Sequence, residues 1–115
     1  MENATEALAV GINFIVKNFL LNHVGENPKE IKTEMADDLI VVLIRNFLSP
    51  AEKDLLEHQS EVASYQQLRK RLFQESEHIL HERLSTFLHK KIRRIHYIFG
   101  TQTEDMNIVI YLEPS

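Results

Sequence analysis

Two stretches of the chain carry side chains whose types and spacing could do chemistry. The first is Glu77-His78-Ile79-Leu80-His81-Glu82. On a helix His78 and Glu82 stand one turn apart, so an imidazole and a carboxylate could share a metal ion. Glu75 and His89 fall on a similar side of the same helix. His78 and His81 diverge, however, and the His-Glu-x-x-His order of zinc peptidases is absent. Two or three ligands on one helix rarely complete a coordination shell. The stretch therefore reads as a solvated polar face, with neither metal nor cofactor expected.

The second is Lys90-Lys91-Ile92-Arg93-Arg94-Ile95-His96, a dense basic run. Guanidinium groups bind carboxylate, phosphate or bicarbonate through two parallel hydrogen bonds. Lys90, Lys91, Arg93, Arg94 and His96 are thus candidate contacts for a small anion or an acidic partner. Basic groups at a helix end also complement the helix dipole, and Ile92 and Ile95 fit a strand. No glycine-rich or aromatic motif beside the run points to RNA. Serines and histidines are present, but no nucleophile elbow marks a triad. No catalytic residue is nominated, and the expectation is a non-enzyme.

The elements that hold these stretches follow from periodicity. A first helix is expected from about Ala4 to Asn22, capped by Asn3, with Leu8, Ile12, Ile15, Val16, Phe19 and Leu20 as its apolar stripe. Gly11 sits inside it at a cost of roughly 1 kcal/mol against alanine, which a close contact would explain. Gly25 supplies a left-handed turn, and Pro28 bars continuation. Ile31, Thr33 and Met35 alternate with Lys32 and Glu34, a strand with one wet face. After Ala36-Asp37-Asp38 comes Leu39 to Phe47, apolar on both faces and therefore central in its sheet or covered on both sides.

Ser49-Pro50-Ala51-Glu52 is a capping box with proline at the first helical position. A short helix carrying Leu55 and Leu56 inward should follow, with a bend near Gln59-Ser60. The long helix is expected from about Glu61 to His89, with Tyr65, Leu68, Leu72, Ile79, Leu80 and Phe87 on one broad face, and Ser76 and Arg83 near it. Then Ile95, Tyr97 and Phe99 alternate with Arg94, His96 and Ile98. A turn over 100–105 leads to a last strand in which Ile108, Ile110 and Leu112 alternate with Val109 and Tyr111. The order α-β-β-α-α-β-β predicts an α+β fold, a mainly antiparallel four-stranded sheet with helices packed on one face.

At 115 residues, 43% apolar and 26% charged, the chain reads as a single soluble domain over 1–115. The absence of cysteine removes disulfides and thiolate zinc sites. The acidic start Met-Glu-Asn-Ala-Thr-Glu lacks the basic region of a signal peptide, and a formal charge of −4 disfavours nucleic acid. No segment is read as long enough to span a bilayer, which takes roughly 20 apolar residues. The expectation is a cytoplasmic protein without direct membrane insertion.

Gly25 and Pro28, Ile31-Lys32-Thr33, Asp38-Leu39-Ile40-Val41-Val42, Leu48-Ser49-Pro50-Ala51-Glu52-Lys53 and the final Asn107 to Glu113 together resemble the MpsC-like family, a bacterial domain family, over nearly the whole chain. Asn46 stands where that family commonly has glycine, and Glu26-Asn27 where a second glycine is usual. The resemblance implies association with a sodium-linked, membrane-potential-generating system whose related partners handle ions or inorganic carbon. It implies no catalytic residues. The expected role is an accessory or regulatory module touching a membrane transport complex, with a small-anion sensor using Lys90 to His96 as the alternative.

The last strand has few charges to repel a neighbour. If helices cover only one face of the sheet, Val109 and Tyr111 need another cover. A homodimer is expected, through the sheet face or edge containing Tyr111.

Overall fold

A computed structural model of the chain describes residues 2–45, 59–99 and 105–114. Helix α1, Glu2–Phe19, continues into a π-helical turn over Leu20–Val24. Gly25 ends it at φ 81, the left-handed conformation expected of it, and its N–H reaches back to the Leu20 carbonyl. The Glu26 N–H donates to the same oxygen at 2.9 Å. Ile12, Val16, Phe19 and Leu20 of the expected stripe are buried, and Val24 joins them.

The first hairpin pairs β1, Glu30–Ala36, with β2, Leu39–Arg45, in the register Ala36 to Leu39 and Glu30 to Arg45. Only Asp37 and Asp38 lie between. Asp37 has φ 51, the sign both primed hairpin turns require at their first central residue. Thr33 donates its hydroxyl proton to the Asn13 side-chain oxygen at 2.6 Å, which ties β1 to α1.

Helix α2, Gln59–Leu88, leads to the second hairpin, β3 (Ile92–Phe99) and β4 (Met106–Leu112). The sheet order is β1-β2-β4-β3 and every pairing is antiparallel. The fold is thus α+β, as the sequence predicts. The last strand is not an edge strand: β4 lies between β2 and β3, so an interface through an edge containing Tyr111 is ruled out. The cause is compositional. β2 and β4 are apolar on both faces and take the centre, whereas β1 with Lys32 and Glu34, and β3 with Arg93, Arg94 and His96, take the charged edges.

Among the described side chains of α2, the buried apolar ones are Phe73, Leu80 and Leu84. The expected face was turned too far round, for Leu68 is 52% and Phe87 37% exposed. Contact with α1 as well as β3 decides which stripe points in. His89 lies beyond the helix at φ 54, not within it. The rings of Phe19 and Phe73 are 5.9 Å apart, and those of Phe73 and Tyr97 4.7 Å apart, so one aromatic stack joins α1, α2 and β3. Ile92 and Ile95 both point into the core although three positions apart; a bulge between Ile92 and Arg94 makes this possible.

The stretch Thr5–Val24 is long and apolar enough to cross a membrane by length and composition, contrary to the sequence reading. Its inner stripe is packed in the core described above, while Val10, Phe14 and Leu21 point outward. The capping box at Ser49 to Glu52, Phe47, the short helix with Leu55 and Leu56, the side chain of Tyr65 and the turn at Gly100 to Glu104 lie outside the described residues.

Candidate functional site

Strands alternate their side chains, so a sheet with helices on one side presents a second face of its own. The inner face is buried: Ile40, Val42 and Ile44 on β2, with Met106, Ile108, Ile110 and Leu112 on β4. The outer face carries the other set. Strand register arranges it in rows running across the sheet: Ala36, Leu39, Tyr111, Arg94; then Glu34, Val41, Val109, His96; then Lys32, Leu43, Asn107, Ile98.

The middle of each row is apolar or neutral and half-buried, while the ends are charged or exposed. Val109 and Tyr111, the expected dimer contacts, both lie in this middle. Ile98 is 46% exposed. Among the described residues no helix packs on this face. It is an apolar strip between two polar margins, a pattern typical of contact surfaces rather than of reaction pockets.

The basic run is divided by its strand geometry. Lys90 and Lys91 are exposed where α2 hands over to β3, and the Lys91 carbonyl accepts the Glu113 N–H at 2.9 Å. Arg94 and His96 belong to the open face. The Arg94 guanidinium sits 4.6 Å from the centre of the Tyr111 ring, a cation–π contact that holds it over the sheet. Arg93, the extra residue of the bulge, shares a shallow depression with Asp37, Asp38 and Tyr111 at one end of that face. Tyr111 thus stands beside Arg94, and Tyr111 with Asp37 and Asp38 beside Arg93. Lys32 and Glu34 form an ion pair at 3.2 Å on the opposite margin.

The polar helix residues serve other ends. His81 Nε2 lies 3.2 Å from the Ile92 carbonyl oxygen and links the last turns of α2 to the start of β3. His78, Glu82 and Glu75 are exposed. Among the described residues no group of three or more His, Asp or Glu side chains is placed to hold one metal ion. Glu82 and Arg83 instead rim an open groove between α1 and α2 floored by Phe14, Ile15, Ile79 and Phe87. Phe87 lies on Gly11: a Cβ at that position would come within 2.8 Å of the ring edge, which explains the glycine.

Two buried polar arrangements escaped the sequence reading. Arg69 donates to the Glu26 carboxylate, and the two side chains keep only 5% and 8% of their surface. Arg69 lies one turn before Phe73 on the buried stripe, so a correctly placed stripe would have revealed it. The Tyr97 hydroxyl is buried beside the Glu77 carboxylate. Burial first, and then the Glu77 carboxylate, raise its phenol well above the ordinary range.

No curated protein and no solved structure matches the chain. A family profile described as "Na+-translocating membrane potential-generating system (MpsC)" matches residues 5–114, nearly the whole length. The chain belongs to the MpsC family.

Proposed function

We propose that this protein is a non-enzymatic, cytoplasmic accessory module of a bacterial sodium-linked membrane-potential-generating system, acting as a homodimer through protein contacts. Family membership supplies the transport context. The observation that carries the contact role is the open sheet face, where Leu39, Val41, Leu43, Val109 and Tyr111 form one half-buried apolar strip. Such a strip costs free energy in water unless something covers it. The module regulates or assembles its transport partners, which move ions or inorganic carbon, and performs no covalent step itself.

The test is deletion of the gene in its native host, with sodium-dependent membrane potential read by a potential-sensitive dye. Loss of the sodium-dependent component, restored by the wild-type gene, is the expected result. An unchanged potential across sodium concentrations would refute the transport role.

A further inference from the structure

We propose that two copies of the chain pack open face against open face about a two-fold axis parallel to the strands. The acidic β1 margin of each copy then covers the basic β3 margin of the other. This deepens the homodimer reading above by fixing its geometry, and it rests on the same face.

The margins are opposite in sign. On the open face β1 carries Glu30, opposite Arg45, and Glu34, which pairs with Lys32 at 3.2 Å, while Asp37 and Asp38 share a depression with Arg93. On the same face β3 carries Arg94 and His96, and the chain has no acid between Lys90 and Phe99. Between them runs the apolar strip. A surface of this kind is complementary to itself when the two margins cross.

If the two-fold axis ran across the strands, β1 would lie over β1 and β3 over β3, and Arg94 and His96 would have no β1 carboxylate of the other copy above them. With the axis along the strands, β1 lies over β3. The row holding Glu34 also holds His96, so the partner's His96 comes above Glu34, and the partner's Arg94 lies one row away. Facing sheets stack about 10 Å apart and rotate by about 30°, distances that Glu and Arg side chains bridge from both sides. Opposed margins fix register and suppress wrong pairings. A nucleic acid or an anionic lipid surface would meet the acidic margin together with the basic one. A second copy meets neither conflict.

The experiment uses two single charge reversals of the full chain, Glu34→Arg and Arg94→Glu, with solution mass measured by light scattering at micromolar concentration. Each alone sets like charges against each other twice, and each should dissociate at least tenfold more readily than the wild type. Mixed in equal amounts they should regain the dimer, because one chain then presents arginine on both margins and the other glutamate on both. Single variants that dimerise like the wild type, or a mixture that stays monomeric, would overturn the proposal. Thermal melting checks each fold, and His96→Glu replaces Arg94→Glu if the latter unfolds. A monomeric wild type sinks this inference while leaving the membrane-potential phenotype standing; an absent phenotype sinks the transport role while leaving the dimer.

Discussion

The Arg69 guanidinium donates a hydrogen bond to the Glu26 carboxylate across the junction of the two helices, and both groups are buried. Glu26 directly follows the left-handed Gly25 that ends the π turn, so the pair pins the exit of α1 to α2. Burial lowers Arg69 to about 9, so the guanidinium stays charged at neutral pH. Glu26→Gln removes the counter-charge and should cost about 3 kcal/mol in urea unfolding. Glu26→Leu with Arg69→Met, which removes both charges, should recover most of that loss. A Glu26→Gln midpoint indistinguishable from wild type would show that the pair does not hold the helices.

Tyr97 predicts a loss of stability in alkali. Its phenol is raised in the fold, whereas in the unfolded chain it ionises near pH 10. The folded-state contribution is therefore complete below about pH 10 and falls away above it, by up to about 1.4 kcal/mol per pH unit. Stability measured from pH 8 to 11.5 should fall more steeply above about pH 10 for the wild type than for Tyr97→Phe. Parallel curves would remove Tyr97 as the cause.

Gly11 and Phe87 form a coupled pair. Alanine at Gly11 gains about 1 kcal/mol of helix propensity but must push aside the tip of the partly exposed Phe87 ring, which offsets part of that gain. In the wild-type background Gly11→Ala should therefore stabilise by less than in a Phe87→Ala background, where the full gain of about 1 kcal/mol is expected. Equal effects in both backgrounds would contradict the packing of Phe87 on Gly11.

The strands were legible in the sequence because their signal is local. Alternation of Ile31, Thr33 and Met35 with charged residues, and the two-sided run at Leu39, follow directly from a period of two. Sheet order was not local. That β4 lies inside and β3 outside depends on which strand hides more apolar surface, a comparison among strands rather than a property of one. The stripe on α2 was misplaced for a similar reason: Phe73 and Leu84 point in because α1 and β3 both press on the helix, and no single-helix projection contains α1. The misplaced stripe also concealed Arg69. Of the open face, Val109 and Tyr111 were readable as uncovered, and Arg93, Arg94 and His96 as basic. Their convergence with Glu34 and Leu39 required the register between four strands.

Tyr111 stands in the apolar strip beneath Arg94, at the middle of the proposed interface. A glutamate there would place a carboxylate in the dry centre of the interface while leaving the buried inner face untouched. The most direct measurement is the mass of the wild-type protein and of Tyr111→Glu by light scattering at micromolar concentration, with thermal melting to confirm that both are folded. The expected result is twice the chain mass for the wild type and a single chain mass for the variant. A monomeric wild type, or a folded variant that keeps the dimer mass, would contradict it.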